Sequence, residues 1–268
     1  KTLYRANFFM KRVINQLKYL KKLNVVAVKQ SLEDEGASFD DLKIMRSITK
    51  KVGLKLNVKI GGCEAKNDIY FCEKLNVNAL VAPMVESDYA LRKFIQVVNK
   101  KGTQDLYVNL ESIQAFRNIK KIMKSKNFTK LKGVVLGRSD LAGSINLEKS
   151  QVDSQRIYKL IYNLSKKVKR KKMIINMGGS LTPNSLNFIK KLFKKKLLDR
   201  VETRNVVIKL SEKVLNNFEK TILNAFKFEI EWMKFNQKRS KFRKFRLKND
   251  ISSRIKVLND RIKNYRNG

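Results

Sequence analysis

Two acidic residues, Glu111 and Asp140, follow short apolar runs at places where buried strands are expected to end. The run Leu106–Leu110 stops directly before Glu111, and the run Gly133–Gly137 is separated from Asp140 by two residues. Ends of adjacent parallel strands are close in space, and two carboxylates there can hold Mg²⁺ or Mn²⁺, which accept oxygen ligands. We therefore predict a divalent metal site at Glu111 and Asp140. The alternative is that both acids pair with lysines inside the fold.

Glycine and arginine residues near these strand ends could bind an anionic substrate. Gly61 and Gly62 would let a carboxylate approach backbone N–H groups, although a tight turn explains them equally well. Arg138, close to Asp140, could bind a carboxylate or phosphate group through its guanidinium. We predict Gly61, Gly62 and Arg138 as substrate-binding residues.

The sequence contains no histidine. This absence excludes histidine-ligated zinc sites, Ser-His-Asp and Cys-His nucleophile systems, and imidazole proton shuttles. Any catalysis must therefore use carboxylates, lysine, arginine, a metal or another cofactor.

Short apolar runs, each followed by a polar or glycine-containing turn and a helical pattern, recur along most of the chain. The runs are Val25–Val28, Leu56–Ile60, Ala79–Pro83, Leu106–Leu110, Gly133–Leu136, Met173–Asn176 and Arg200–Thr203. Continuous apolar runs are typical of strands buried on both faces, and their spacing fits repeated strand–helix units. The pattern predicts an α/β fold, a parallel (β/α)8-type TIM barrel. An eighth strand is not found; it could be degenerate, precede Lys1, or be missing from an imperfect barrel.

The C-terminal part has a different pattern. A long helical pattern extends from Ser211 to Trp232, and Lys238–Lys248 then places lysines and arginines around Phe242 and Phe245. We predict a barrel domain over residues 1–232 and a basic helical C-terminal tail over 233–268. The tail could pack as a solvated basic helix, or it could contact RNA, DNA or a membrane.

Four sequence motifs in the correct order resemble the HpcH/HpaI aldolase and citrate lyase β-subunit family of the phosphoenolpyruvate/pyruvate barrel superfamily. The motifs are Val58-Lys59-Ile60-Gly61-Gly62, Val81-Ala82-Pro83-Met84-Val85-Glu86-Ser87, Asn109-Leu110-Glu111-Ser112 and Gly133-Val134-Val135-Leu136-Gly137-Arg138-Ser139-Asp140-Leu141. The resemblance implies metal-binding roles for Glu111 and Asp140. It also implies assembly into a homo-oligomer through the C-terminal helices.

The chain departs from the family pattern at two catalytic positions. Lys59 stands where the family usually has an arginine that stabilises the enolate oxygen, so we predict Lys59 as a catalytic residue; a structural ion pair is the alternative. Many members place an acid–histidine pair after the first strand, whereas here Glu33-Asp34-Glu35 is followed by Gly36. Proton transfer would then come from Glu35, Glu33 or a metal-bound water, and we predict Glu35 as the second catalytic residue.

These observations predict a metal-dependent carbon–carbon lyase, similar to aldolases or citrate lyase. It would act on a 2-oxo acid or acyl-CoA-type substrate through a metal-stabilised enolate. The alternative is a catalytically impaired barrel that binds nucleic acid or another polyanion, because the net charge is +38 from 61 basic and 23 acidic residues. AT-rich codons, which favour lysine, asparagine and isoleucine, also explain this charge. With two cysteines and no apolar run that could span a bilayer, we expect a cytoplasmic protein.

Overall fold

The computed structural model describes residues 2–33, 35–98, 102–239 and 248–265. Eight strands in these segments form a closed barrel in which each strand pairs with its neighbours in chain order. The strands are β1 (Val25–Ser31), β2 (Lys55–Lys59), β3 (Ala79–Ala82), β4 (Asp105–Leu110), β5 (Gly133–Gly137), β6 (Ile174–Gly178), β7 (Arg200–Glu202) and β8 (Val206–Lys209). Strands β1 to β7 are parallel, which confirms the predicted TIM-barrel class.

The eighth strand follows the seventh after a turn of three residues, Thr203–Asn205. β8 therefore runs antiparallel to both β7 and β1, with Val201 opposite Ile208 and Val28 opposite Val206. No helix separates β7 from β8. The missing strand thus lies within the chain, and the barrel is parallel except at this closing strand.

Helices surround the barrel. They are α1 (Thr2–Lys22), α2 (Phe39–Val52), α3 (Lys66–Lys74), α4 (Asp88–Val97), α5 (Ile113–Lys124), α6 (Arg138–Gly143), α7 (Gln155–Lys169), α8 (Leu186–Lys194), α9 (Glu212–Asn216), α10 (Phe218–Arg239) and α11 (Lys248–Asn264). Serine residues start several of them: the hydroxyl oxygens of Ser38, Ser87, Ser112 and Ser154 accept hydrogen bonds from backbone N–H groups of the first turn. Such N-caps fix where each strand-to-helix loop ends.

Alternation along the strands separates two cores. In β4, Val108 and Leu110 belong to the large core between the strands and the helices, whereas Tyr107 packs with Ala79, Val81 and other residues inside the barrel. Residues two apart in a strand face the same side, so Asn109 and Glu111 continue the inward-facing row of Tyr107. The barrel interior becomes polar towards the carboxyl ends of the strands.

The C-terminal helices pack onto the barrel. Helix α10 lies along α1 and continues to Arg239, beyond the domain boundary predicted at residue 232, and α11 packs on α10. Trp232 is buried within its own chain, and its indole N–H donates to Gln30. Assembly through Ser211–Trp232 stays a prediction. None of the described helices is long and apolar enough to cross a membrane.

Candidate active site at the carboxyl ends of the strands

Glu111 lies directly after β4 and is held by donors on two sides. Its side chain is 3% exposed. Oε1 accepts from the backbone N–H of Met84 at 3.2 Å, and Oε2 accepts from the side-chain amide of Asn109 at 2.8 Å. Burial raises the pKa of Glu111, and the negative charge of Asp140 raises it further, against the opposing effect of Lys59. The carboxylate is therefore preorganised, and the attraction of Lys59 only partly offsets its burial and the repulsion of Asp140.

Asp140 reaches the same region from the next strand. It lies in the first turn of α6, directly after β5, and its side chain is exposed. Gly137 allows this approach: a Cβ at that position would lie 2.7 Å from Glu111 Cβ and 2.8 Å from Oε2. A larger residue at 137 would displace Glu111, so the glycine lets the two acids share one corner of the barrel.

Lys59 ends β2 between two acids. Its ammonium group lies 3.3 Å from Glu33 Oε2 and 3.8 Å from Glu111 Oε1, and its side chain is 8% exposed. A cation this well shielded from water acts strongly on nearby charge. The structure brings Lys59 to Glu111, and the catalytic role of Lys59 stays a prediction.

The side chains at this corner suit a hard divalent cation. Glu111 and Asp140 offer carboxylate oxygens, and no group of three or more acidic or thiol side chains forms a larger metal site in the described segments. The buried Oδ1 of Asn109, beside Glu111, has no hydrogen-bond partner among the described residues. An orphaned acceptor next to two repelling carboxylates fits a bound cation with its water ligands.

Gly61 and Gly62 differ in what they offer an anion. The backbone N–H of Gly61 already donates to Asp68 Oδ2 at 2.7 Å, so a substrate carboxylate would have to displace Asp68. A Cβ at Gly62 would meet open space, with no atom within 4 Å. Helix α3 begins at Lys66, four residues after Gly62, and has no side-chain cap. Gly62 therefore remains the better candidate of the two.

The position of Arg138 corrects its predicted role. Its side chain is 0% exposed, and the guanidinium donates to the backbone oxygens of Gly178 and Gly179 and forms a salt bridge with Asp153. The guanidinium also lies over the ring of Phe188. These contacts occupy the fork that a substrate would need, so we assign Arg138 to joining β5 with the loop after β6.

Glu35 belongs to a second group of charged residues at the same end of the barrel. Its Oε2 accepts from the amide of Asn205 at 2.8 Å, and its Oε1 lies 3.7 Å from Arg204 Nε. Burial is the largest effect on this carboxyl and raises its pKa to about 7, although Arg204, Lys29 and Asn205 oppose the shift. A group with this pKa can both accept and donate a proton near neutral pH.

Lys29 joins this group to the barrel interior. Its ammonium group lies 2.6 Å from Glu202 Oε1. Burial opposes the charged form, but Glu202 outweighs burial and the pKa of Lys29 is raised. Glu202 binds Lys29 and Arg204 binds Glu35, because β7 ends at Glu202 and Arg204 lies in the turn. Lys29, Asn109 and Asn205 were not predicted as site residues. Each is a polar residue within or beside a buried apolar run, and this position could have indicated a role at the strand ends.

Glu35→Gln is expected to change how stability depends on pH. The pKa is 4.5 for an unperturbed glutamate and about 7 in the fold, so between these values the folded chain keeps a proton that the unfolded chain loses. Wild type therefore loses stability as pH rises through this window, by about 3 kcal/mol, and glutamine does not. Urea unfolding at pH 5 and pH 8 measures the effect. From pH 5 to pH 8 the free energy of unfolding of Glu35→Gln should rise relative to that of wild type. Glu219→Gln, an exposed glutamate in α10, is the control, and a pH-independent difference would contradict the burial of Glu35.

With the geometry established, comparison with known proteins identifies the family. The HpcH/HpaI aldolase/citrate lyase family model matches residues 39–174, just over half of the chain. The chain belongs to this family. The matched range contains Lys59, Glu111 and Asp140, whereas Glu35 and the β7–β8 turn lie outside it. A search of curated protein sequences found no match.

Several solved structures share the barrel fold. The HpcH/HpaI aldolase from Desulfitobacterium hafniense DCB-2 is 10% identical with a TM-score of 0.56, covering 74% of this chain and 82% of that chain. RipC from Yersinia pestis is 15% identical with a TM-score of 0.51, covering 72% and 86%. The citrate synthase SbnG is 10% identical with a TM-score of 0.56, covering 75% and 84%. At these identities the similarity concerns the fold.

One predicted feature cannot be placed on the HpcH/HpaI barrel. Residues 240–247, which contain Phe242 and Phe245 of the basic tail, lie outside the described segments. Helix α11 beyond them buries Leu258 and Ile262. The predicted helical tail is thus helical over Lys248–Asn264, and the role of the basic segment before this helix stays a prediction.

Proposed function

We propose that this chain is a carbon–carbon lyase that cleaves the bond between the carbons α and β to the keto group of a 2-oxo acid unit, so that the electron pair of the broken bond forms an enolate, with a divalent cation, Mg²⁺ or Mn²⁺, held by Glu111 and Asp140. The observation that carries the proposal is the meeting of these two carboxylates with the buried ammonium group of Lys59 at one corner of the barrel. Family membership supports lyase chemistry, and the corner supplies groups suited to it.

The residues around Glu111 would fix the cation and the substrate. When bound, the cation would polarise the carboxylate and keto oxygens of the substrate. Met84 N–H and the Asn109 amide orient Glu111, so the carboxylate needs little rearrangement to bind. Gly62 leaves open space near the end of β2 for the substrate.

Lys59 would stabilise the negative charge that develops on the keto oxygen when the bond breaks. Its ion pairs with Glu33 and Glu111 restrict the position of the ammonium group. Preorganised charge in a site shielded from water stabilises such an oxygen without further reorganisation.

Glu35 would move the proton. Its Oε2 is fixed by Asn205, which leaves Oε1, 3.7 Å from Arg204, as the oxygen that can exchange a proton. Lys29 interacts electrostatically with both Glu35 and Lys59. A change in the charge of Glu35 therefore affects Lys59 through Lys29. This arrangement replaces the histidine that the chain lacks.

Calorimetric titration with Mn²⁺, in the presence and absence of pyruvate, tests the metal site. Wild type is expected to bind Mn²⁺, more tightly with pyruvate present, and Glu111→Gln and Asp140→Asn are each expected to weaken binding at least about 10-fold. Glu219→Gln and Asp88→Asn make the same chemical changes at exposed positions and should bind as wild type does. No binding by wild type, or equal loss in the control variants, would overturn the proposal.

The proposal also covers the second part of the substrate, which accepts the enolate in the reverse reaction, and the assembly state of the chain. An aldehyde or a CoA thioester would satisfy the same chemistry at the 2-oxo acid unit. A homo-oligomer is proposed from the family resemblance alone.

A further inference from the structure

The outer helices on one side of the barrel carry a charge distribution that the proposed chemistry does not use. Between Ser154 and Leu198 the sequence has 13 lysines and arginines and no aspartate or glutamate. This stretch forms α7, β6 and α8, and ten of the 13 basic residues are exposed. The stretch Ser112–Ser139, which contains α5, likewise has eight basic residues and no acid.

These helices are neighbours, so the charges form one surface. Helix α5 contacts α7. Tyr158 of α7 packs edge-on against Phe188 of α8, with ring centroids 5.3 Å apart. We call the exposed side of α5, α7 and α8 the basic face. Since α7 has 15 residues, the face is about 22 Å long.

Lysines from both helices gather at the seam between α7 and α8. Tyr158 and Tyr162 stack at 6.0 Å along this seam. Lys191 lies 6.0 Å from the Tyr158 ring, and Lys166 and Lys195 lie 5.5 Å and 5.9 Å from the Tyr162 ring. These cation–π contacts hold three ammonium groups along one seam.

The acids that flank the basic face are already paired. Asp153, just before α7, binds the buried Arg138, and Asp199, just after α8, binds Lys169. Within the described part of the chain, these acidic partners therefore lie only at the edges of the basic face. Codon bias raises lysine content everywhere, but it does not account for the lack of acids on these adjacent helices.

We infer that the basic face binds the phosphate backbone of a nucleic acid strand. A length of about 22 Å spans roughly six phosphates at 3.4 Å each along a strand of a duplex. A small anion needs convergent groups in a pocket, whereas these cations are spread along two helices. A membrane surface is a poorer match, because no large hydrophobic side chain of α5, α7 or α8 is exposed, and interfacial helices need an apolar side.

Binding through phosphates has two measurable properties. Lysine contacts to phosphate oxygens carry no base information, so oligo(U) and oligo(A) should bind with similar affinity. Each contact releases counterions, so affinity should fall with added salt. In a plot of log affinity against log salt concentration, each contact with a single strand should steepen the slope by about 0.7.

Fluorescence anisotropy of a labelled 20-nucleotide oligo(U) RNA with the full chain tests the inference. The test variant combines Lys159→Gln, Lys166→Gln, Lys191→Gln and Lys195→Gln. The control variant combines Lys11→Gln, Lys18→Gln, Lys50→Gln and Lys51→Gln, which removes the same charge from exposed positions of α1 and α2. At about 0.1 M salt the test variant should bind the RNA at least about 10-fold more weakly than wild type, and the control should stay within about threefold of wild type. The slope of log affinity against log salt concentration should be smaller by about 3 in the test variant.

Three results would overturn the inference. They are no RNA binding by wild type, equal weakening in the test and control variants, and RNA binding unchanged in the test variant while binding to phosphatidylserine vesicles is lost. The last result would assign the face to a membrane. Circular dichroism of each variant checks that the fold is intact, and Mn²⁺ titration checks the proposed metal site at Glu111 and Asp140.

Discussion

Replacing Lys59 by methionine is expected to slow deuterium exchange into the methyl group of pyruvate about 100-fold to 1,000-fold, the usual effect of removing a preorganised oxyanion donor. Exchange requires only removal of a methyl proton and its replacement from D₂O, so it reports formation of the enolate without knowledge of the acceptor. Proton NMR in D₂O measures the rate, with Mg²⁺ as the cation because paramagnetic Mn²⁺ would broaden the methyl signal. The reason for the large effect is the shielded position of the ammonium group, 3.8 Å from Glu111.

Lys59→Arg is the matched variant. Arginine keeps the charge and adds a planar fork, so exchange should stay within about 10-fold of wild type. Mn²⁺ affinity of Lys59→Met at pH 8 should not fall, because the methionine removes a cation that competes for Glu111. If both variants lose exchange equally, or if Lys59→Met loses Mn²⁺, Lys59 acts as a structural partner of Glu111.

Arg138→Met is expected to lower the free energy of unfolding by about 2–4 kcal/mol, because it leaves a partly buried carboxylate and two backbone carbonyls short of a donor. The carboxylate of Asp153 would keep the hydrogen bond from the Ser185 hydroxyl, and the carbonyls of Gly178 and Gly179 would lose the guanidinium. Urea denaturation followed by tryptophan fluorescence measures the change, since Trp232 is buried.

A double-mutant cycle distinguishes the pair from general loss of packing. Asp153→Asn and the double variant should show a coupling of about 1–3 kcal/mol with Arg138→Met. If Arg138→Met does not fold, Arg138→Lys keeps the charge and is expected to be less destabilised. An unchanged unfolding midpoint, or a raised KM for pyruvate with normal stability, would return Arg138 to the substrate site.

The meeting of Glu111, Asp140 and Lys59 could be predicted from sequence because these residues adjoin continuous buried strands, whereas their binding of a metal stays a prediction. The apolar runs before Glu111 and Asp140 locate strand ends, and strand ends in parallel barrels converge. Lys59 follows from the same reasoning, aided by the resemblance. These assignments depend on local sequence and on one general property of the fold.

The remaining features depend on contacts between distant segments. Strand β8 was missed because a turn of three residues, without a helical pattern, separates it from β7. The raised pKa of Glu35 depends on burial beneath that turn, where Asn205 and Arg204 meet it. Arg138 was expected at the substrate because its acidic partner and carbonyl acceptors lie 15 to 41 residues away. Local pattern cannot show such pairings.

The reversed direction of β8 has a consequence for how the barrel folds. In an all-parallel barrel, each new strand joins its neighbour only after a crossover of a dozen or more residues. Here β8 can pair with β7 as a hairpin, a local event that takes microseconds, and only its pairing with β1 joins distant parts of the chain. We expect ring closure to be the docking of this preformed hairpin onto β1, so that Glu35 meets Asn205 and Arg204 only when the last seam of the barrel forms.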